Sequence, residues 1–599
     1  MYKRQPYLYK VRSEIGTDAI ENPLGIRWFS WDKEKHWLYV NGKHVVLNGT
    51  NRHQEYPWLG DAMPKWMHER DLQDIRFNLG HNFQRTVHYT NDPYVYDLSD
   101  RLGIITVEEV PNIKDIAFGR DVQLQNVREM IRRDRNHPCI FFWSMGNETD
   151  QPADSKWGHD EDTSRLIHLR RGTNGGDYVQ TNNDDLGFEN LLRCTVRGWH
   201  DGDRDFNDGG HPKNGQVTGT EEWQHDVNRD EIAKRQGDNI VVFLYADHGA
   251  DRKYLFSPLL YVNPKGFVDA YRNPKYMYYL WEANYSAKPM IFIEPHNWRE
   301  KYVGQKKDIV VDSNCDVVTL KVNGRAIATL KPGPDTAHSL TFNDVAIERG
   351  TLSADGVLSG RAVHYEVKMA GAPARIMLTA SSVSIPAGRN GIATLSANIV
   401  DAKGVHVIGV SPDLHWKIEG PGTLAGPAVY TSDAMKNGSY EGDWYIDTPV
   451  GNVVRSGAAA GTITVTVEAH GLAAGRVTVQ SVAPVKDDVP GITEPLVRDD
   501  GRVHVTRDRS VKSVIFAAKA HKLNEITQDY DLPVQAATDY ATAVAAFIQQ
   551  RNIDLDPAGK DFHMLVEKLT PILEKTHGHL VADDYNFLVR QLNDAKKKK

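Results

Sequence analysis

Several apolar stretches in the first half of the chain end abruptly in polar residues that could carry out chemistry. The clearest is "CIFFWSMGNETD", in which a run of large apolar residues leads to Asn147 and Glu148. Another, "GQVTGTEEW", ends in the adjacent carboxylates Glu221 and Glu222. A protonated carboxylic acid can donate to a departing oxygen while an ionised partner attacks carbon or activates water. Carboxylates at the ends of two different strands therefore point to glycoside hydrolysis.

Two further stretches end in basic and imidazole side chains. "VVLNGTNRH" ends in Arg52 and His53, and "NFQRTVHY" contains Arg85 and His88. One strand that ends in charge is common, but four such strands match a site assembled from several strand tips. The alternatives are a helix-capping turn for the Asn-Glu pair and a structural ion pair for either of the adjacent glutamates.

An alternation of strand and helix patterns would position these residues. From about 46 to 285, short apolar runs alternate with helically spaced segments such as "ERDLQDIRFNLG" and "VQLQNVREMIRRDRN". Repeated strand–helix units predict a parallel sheet buried on both faces. If that sheet closes into a (β/α)8 barrel, all of the strand tips reach one pocket.

The pattern changes twice after the barrel region. Short alternating strands with Gly, Pro and Asp turns run from about 290 to 481, and this pattern favours two β-sandwich modules. After the linker "VAPVKDDVPGITEP", the apolar residues have helical spacing. We expect a partial immunoglobulin-like β-sandwich segment at 1–40, the (β/α)8 TIM barrel catalytic domain at 41–295, a β-sandwich at 296–372, an immunoglobulin-like β-sandwich at 373–485, and a linker with an α-helical segment at 486–599.

Composition limits the classes of partner. A chain of 599 residues is too long for one core, and its net charge of -8 offers no basic surface for nucleic acid. Its three widely spaced cysteines favour packed thiols over a disulfide framework. No apolar run reaches the ~20 residues of a membrane helix, and "MYKRQPYLYKVRSEIG" lacks a signal-peptide core. We expect no nucleic-acid or membrane partner, and a homo-oligomer is possible. The sequence does not determine the compartment. A periplasmic or secreted enzyme is expected if the N-terminus is truncated.

The motifs above, with "YVNGKHVVLNGTNRHQEYPWLG", resemble the catalytic barrel of glycoside hydrolase family 2, which includes β-galactosidases, β-glucuronidases and β-mannosidases. The resemblance implies a retaining double displacement without an organic cofactor. It makes Glu148 the general acid/base and Asn147 the residue that holds the sugar's 2-hydroxyl group. It also implies that Arg85 neutralises the nucleophile's carboxylate and that His53 and His88 line the sugar site.

The nucleophile is one of two adjacent residues. Neighbours on an extended strand face opposite ways, so only one of Glu221 and Glu222 can point into the pocket. The family's usual strand pattern selects Glu221, which we prefer, whereas "EWQH" resembles a β-galactosidase motif that selects Glu222. Aromatic rings near the later strand ends could stack on a sugar, although each taken alone is better explained as a core residue: Trp199, Trp223 and Tyr245.

The sugar is indicated by two features that disagree. Asn263 and Lys265 in "NPKGFVDAYRNPK" match the pair that grips the uronate carboxylate in β-glucuronidases, although the same residues make a good turn. The later segment "VDSNCDVVTLKVNGRAIATLKPG" resembles a sandwich that commonly follows the barrel in bacterial β-galactosidases and also occurs in some glucuronidases. We expect a β-galactosidase acting on oligo- or polysaccharides, with a β-glucuronidase as the alternative.

The chain also departs from the family pattern. Only the end of the immunoglobulin-like domain before the barrel is matched, and the jelly-roll domain that normally precedes it is missing. After "TVEEV" the chain lacks the histidine of the metal site in the largest β-galactosidases, so we predict no essential metal. A catalytically decayed carbohydrate-binding protein is the alternative from another class, although such a protein has no reason to keep all of these polar residues.

Overall fold

The structure is a computed structural model that describes most of the chain. The described residues are 6–32, 34–35, 37–113, 118–147, 149, 152–168, 170–171, 178–179, 192–194, 197–199, 218–234, 237, 239–249, 262–263, 265–408, 410, 412–430, 449–483, 523, 529–532, 540–551, 555 and 557–597.

Among the described residues, seven parallel strands form one sheet at the centre of the first half of the chain. In chain order they are β1 (Asn48–Arg52), β2 (Phe83–Thr86), β3 (Ile105–Glu109), β4 (Ile140–Ser144), β5 (Leu166–His168), β6 (Leu192–Cys194) and β7 (Ile240–Phe243). Their spatial order is β5-β4-β3-β2-β1-β7-β6. Consecutive strands are neighbours, apart from β5 and β6 at the two ends of the described sheet, and β1 also pairs with β7, as in the cyclic order of a barrel. Every residue of β3 and β4 is buried, as a strand covered on both faces requires.

Helices connect these strands. They are α1 (Lys65–Gln73), α2 (Pro93–Leu102), α3 (Arg120–Asp134), α4 (Ser155–Glu161), α5 (Glu221–Lys234) and α6 (Tyr276–Tyr285), and a π-helical turn at Asp74–Asn78 extends α1. The bounds of α2 follow from its caps. The Asp92 side chain accepts a hydrogen bond from the Tyr94 N–H, and Gly103 ends the helix with a φ of 70°.

Two β-sandwiches follow the barrel. The first packs strands Ile291–Ile293, Lys306–Ser313 and Ser339–Ala346 against Val317–Val322, Arg325–Leu330, Thr351–Leu358 and Arg361–Lys368. The second packs Pro373–Ala380, Ile392–Asp401, Gly422–Leu424 and Val450–Ser456 against Ser384–Pro386, Leu414–Glu419, Val429–Tyr430, Gly461–Glu468 and Gly475–Val482. Each sandwich has its own apolar core.

Smaller elements lie at both ends. Before the barrel, a two-stranded hairpin (Tyr9–Ile15 and Asp18–Leu24) is exposed along its length and precedes a three-stranded sheet (Phe29–Asp32, Trp37–Val40 and Lys43–Val45). Near the C-terminus, three helices (Tyr540–Arg551, Lys560–Lys575 and Ala582–Lys597) enclose a core with the short pair Tyr530–Asp531 and His579–Leu580. Cys139 and Cys315 are buried free thiols. Among the described helices, none has the length and apolar character needed to cross a membrane.

Candidate active site

Glu109, the last residue of β3, is the centre of a buried polar network at the strand tips. It accepts hydrogen bonds from Arg85 Nε at 3.0 Å and also from Arg85 Nη2. His88 Nδ1 lies 2.8 Å from its Oε1, and the Ser144 hydroxyl donates to its Oε2 at 2.6 Å. Burial alone would raise the pKa of Glu109, but Arg85 and His88 lower it to about 2. The carboxylate is therefore ionised and saturated with donors near neutral pH.

Asn147 joins this network from the end of β4. Its side-chain oxygen accepts from Arg85 Nη2 at 3.0 Å, and its backbone N–H donates to the Asn112 carbonyl at 2.8 Å. Gly146 brings the chain to this position with a φ of +146°, where an added Cβ would lie 3.0 Å from the Asn112 carbonyl oxygen. With its oxygen bound to Arg85, Asn147 can offer its amide N–H groups to a substrate oxygen.

Aromatic and imidazole rings pack beside the network. The His88 ring lies parallel to Phe243, 5.9 Å between centroids, and the His53 ring stacks on His248 at 4.2 Å. Burial, with the neighbouring His248 and His88, lowers the pKa of His53 well below its usual value. His53 and His88 therefore lie together, 5.4 Å between ring centroids.

Lys265 lies at the edge of this ring cluster. Its Nζ is 6.0 Å from the centre of the Phe243 ring. Asn263 is on a short strand whose backbone pairs with that of His248, so the predicted Asn-x-Lys segment runs past the rings. The Asn263 side chain lies outside the described residues.

The secondary structure at Glu221 and Glu222 differs from the predicted strand. The strand before them, Thr218–Thr220, pairs with Arg197–Trp199 and not with the central sheet. Both glutamates lie in the first turn of α5, so the argument that extended neighbours face opposite ways is wrong here. Glu221 is buried, and its Oε2 accepts from the Tyr276 N–H at 3.0 Å, whereas Glu222 pairs with His296.

Arg85 contacts Glu109, a carboxylate that the sequence analysis did not name as a site residue. Burial, with Glu222 adding like charge, raises the pKa of Glu221 well above its usual value, where we expected an ionised carboxylate. The signal for Glu109 was present in the sequence, because "TVEEV" also ends a strand in carboxylates. What the sequence could not show is that β2 and β4 bring Arg85 and Ser144 to it.

The other candidate residues lie in different places. Tyr245 is a core residue and not a stacking platform, because it is 1% exposed and its hydroxyl donates to Asp74. Arg52 is structural, since Nη2 pairs with Asp71 at 2.8 Å. Trp223 lies on α5. Glu148 and the Trp199 side chain lie outside the described residues.

Comparison with known proteins matches this architecture. Residues 33–191 match the model of the glycosyl hydrolases family 2 TIM barrel domain, and residues 376–478 match the family 2 C-terminal domain 5. The chain carries a TIM barrel domain and a C-terminal domain of glycoside hydrolase family 2. The predicted TIM barrel and C-terminal β-sandwiches are thereby confirmed. Residues 304–364 match a domain of unknown function.

The relatives of this chain carry two different names. A β-glucuronidase of Formosa agariphila is 28% identical over 80% of this chain and 52% of its own length. A β-galactosidase of Thermoanaerobacter pseudethanolicus is 23% identical over 73% of this chain and 63% of its own length. The chain thus spans about half to two thirds of the length of these relatives.

Solved structures share the fold. A family 2 β-glucuronidase superposes with a TM-score of 0.64 at 23% identity, over 83% of this chain and 56% of that one. A β-glycosidase from Bacteroides vulgatus gives a TM-score of 0.59 at 19% identity, over 77% and 67% of the two chains. At these identities the likeness concerns the architecture.

Proposed function

We propose that the barrel is the catalytic domain of a retaining exo-β-glycosidase. The observation that carries this proposal is the position of Asn147, which Arg85 and Glu109 hold at the end of β4 beside His53 and His88. Substrate hydroxyl groups would meet the Asn147 amide and the two imidazoles. The ionised Glu109 acts through Arg85 and His88, whose orientation it fixes.

In the proposed mechanism, two carboxyl groups exchange roles. Glu148 gives its proton to the departing glycosidic oxygen while the nucleophile's carboxylate attacks the anomeric carbon and forms a covalent glycosyl–enzyme ester. Glu148 then removes a proton from water, which attacks the same carbon and releases the carboxylate. Two inversions leave the anomeric configuration unchanged.

We propose Glu221 as the nucleophile, since Glu222 is already paired with His296. The test is to make Glu221→Ala and Glu222→Ala and to add azide, a small anion that can occupy the space of the missing carboxylate. Azide should attack the anomeric carbon as the aryl group departs, restore turnover of an activated aryl glycoside in Glu221→Ala alone and yield the inverted glycosyl azide. Rescue of Glu222→Ala instead would assign the nucleophile to Glu222.

For the sugar, the position of Lys265 supports a β-glucuronide. An ammonium group at the edge of the His88–Phe243 cluster can pair with a uronate carboxylate, and the curated relatives include β-glucuronidases. The β-galactoside favoured by the sandwich resemblance is the second candidate, and its support is the set of relatives named β-galactosidase.

The two sugars are separated by comparing kcat/KM for an aryl β-glucuronide and an aryl β-galactoside. Lys265→Met should lower the glucuronide value at least 10-fold and leave the galactoside value within about twofold, since a charge-assisted contact contributes about 1.5–3 kcal/mol. Lys307→Met is the matched control, because Lys307 also lies over an aromatic ring, Tyr302, but in the first sandwich. Galactoside turnover that exceeds glucuronide turnover and is indifferent to Lys265 would support the second candidate.

A further inference from the structure

A buried group of metal-ligating side chains lies away from the strand tips, where α5 meets the first sandwich. His225 is on α5, Glu294 follows strand Ile291–Ile293, and Asp312 is on strand Lys306–Ser313. Their exposed fractions are 0%, 7% and 0%. Three separate segments therefore contribute one potential ligand each to a point that water hardly reaches.

The distances suit a single small ion. His225 Nε2 lies 3.1 Å from both carboxylate oxygens of Asp312. Ligand atoms of the three residues all lie within 4.8 Å of one another. Two ligands that each lie ~2.1 Å from a tetrahedral ion are about 3.4 Å apart. The side chains therefore need little movement to close on an ion.

One carboxylate oxygen of Glu294 lacks a hydrogen-bond partner in the part of the chain that the structure describes, which is a second reason to expect an ion here. Its Oε1 is buried without a hydrogen-bond partner among the described residues, and His225 Nδ1 is 3.4 Å away. A buried carboxylate oxygen without a donor is costly. A cation between Glu294 and Asp312 would supply the partner that this oxygen lacks.

The second nitrogen of His225 also has a suitable partner. Nδ1 lies 3.4 Å from Asp226 Oδ1, on the side opposite Nε2. Metal-bound histidines usually donate their other N–H to a carboxylate, which fixes the ring orientation. Asp226 can fill that role when Nε2 binds an ion.

We propose that His225, Glu294 and Asp312 form a structural site for a first-row divalent cation, for which Zn²⁺ is the best match to one imidazole and two carboxylates. The ion would tie α5, the helix that opens with Glu221 and Glu222, to the first sandwich. It takes no part in the proposed hydrolysis, and it is a different site from the metal site of the largest β-galactosidases, on whose missing histidine the prediction of no essential metal rests.

The test measures zinc binding directly. The full chain is stripped with a chelator, dialysed against Zn²⁺ alone, and its metal content and affinity are measured, with Mg²⁺ as the comparison ion. We expect one Zn²⁺ per chain and no displacement by Mg²⁺. His225→Gln, Glu294→Gln and Asp312→Asn should each weaken binding by about 100-fold or more, and Asp226→Asn, outside the ligand set, by about 10-fold.

Two controls distinguish the loss of a zinc ligand from a loss of folding and from the loss of any histidine–aspartate contact. Far-ultraviolet circular dichroism of the isosteric Glu294→Gln variant establishes that it is folded. His137→Gln removes another histidine–aspartate contact, His137 Nδ1 to Asp100 at 2.7 Å, and should bind zinc as the wild type does. The proposal is overturned if the wild type binds no zinc tightly, or if the folded Glu294→Gln and Asp312→Asn variants bind it unchanged. His225 would then be a protonated imidazole bridging two carboxylates.

Discussion

At the scale of single residues, Glu109 determines the state of the site. Its carboxylate balances the charge of Arg85, which is only 1% exposed, and it also contacts His88 and Ser144. One side chain therefore fixes two groups that we propose to line the sugar pocket. Its importance follows from what surrounds it, since the adjacent Glu108 is equally buried and contacts Arg133 instead.

Glu109→Gln should be strongly destabilising, because it removes a buried carboxylate that pairs with the Arg85 guanidinium. Removing one partner of a buried ion pair costs about 3–5 kcal/mol, and we expect that loss in the free energy of unfolding measured with denaturant. kcat/KM should fall at least 100-fold. Glu348→Gln, which breaks the exposed pair with Arg325, is the control and should change neither quantity appreciably. Equal effects of the two variants would show that Arg85 does not depend on Glu109.

The same carboxylate predicts a pH dependence. The pKa of Glu109 is about 2 in the folded chain and 4.5 without the fold's influence. A lowered folded-state pKa gives stability that is present above the unfolded value and is lost as the pH falls through the folded one. The difference in unfolding free energy between wild type and Glu109→Gln should therefore shrink as the pH is lowered from about 5 towards 2. A difference that stays constant over this range would mean that Glu109 is not held ionised.

At the scale of elements, the turn after β4 controls Asn147. Gly146 has a φ of +146°, which is a region almost exclusive to glycine, and an added Cβ would also lie 3.0 Å from Thr149 Cγ2. Gly304 has a φ of +87° but nothing within 4 Å of an added Cβ. The two positions thus separate backbone strain from crowding at the site.

Gly146→Ala should destabilise the chain by about 2–3 kcal/mol and lower kcat, because Asn147 would move away from Arg85. Gly304→Ala should cost about 1 kcal/mol and leave kcat unchanged. Thermal unfolding and kinetics of the two variants check this. If both variants lost activity equally, the turn after β4 would have no special role.

Some of these elements could be predicted from the sequence alone and others could not. Continuous apolar runs predicted β3 and β4 because a strand buried on both faces needs apolar residues throughout. The three-residue strands β5 and β6 carry too few residues for such a pattern. The glutamate pair was assigned to a strand because "VTGTE" reads as one, but α5 begins at Glu221. Contacts such as Arg85 to Glu109 depend on strand pairing and could not be predicted from spacing.

At the scale of the whole molecule, the barrel and the second sandwich share an aromatic contact. Trp58 packs against Tyr271, and the Tyr271 and Tyr430 hydroxyls lie 2.8 Å apart. Trp58 is in the segment that follows His53, so we expect the second sandwich to stabilise that segment. The C-terminal helices, by contrast, have an apolar core of their own, formed within residues 523–592.

Removing the C-terminal helices should therefore leave catalysis intact. A chain that ends at residue 483 should retain kcat/KM within about twofold, because the described strands of both sandwiches remain. A chain that ends at residue 372 removes Tyr430 and should lose activity. Equal activity of both shortened chains would show that the second sandwich does not support the pocket.

The most direct test of the account follows the anomer released first from an aryl β-glycoside by proton nuclear magnetic resonance, with β-glucuronide and β-galactoside as substrates. The account predicts that the β-anomer appears first and that Glu148→Gln abolishes turnover of substrates whose leaving group needs a proton. An α-anomer formed first would contradict the double displacement. Tight binding of the sugar without turnover of either substrate would instead identify the chain as a carbohydrate-binding protein.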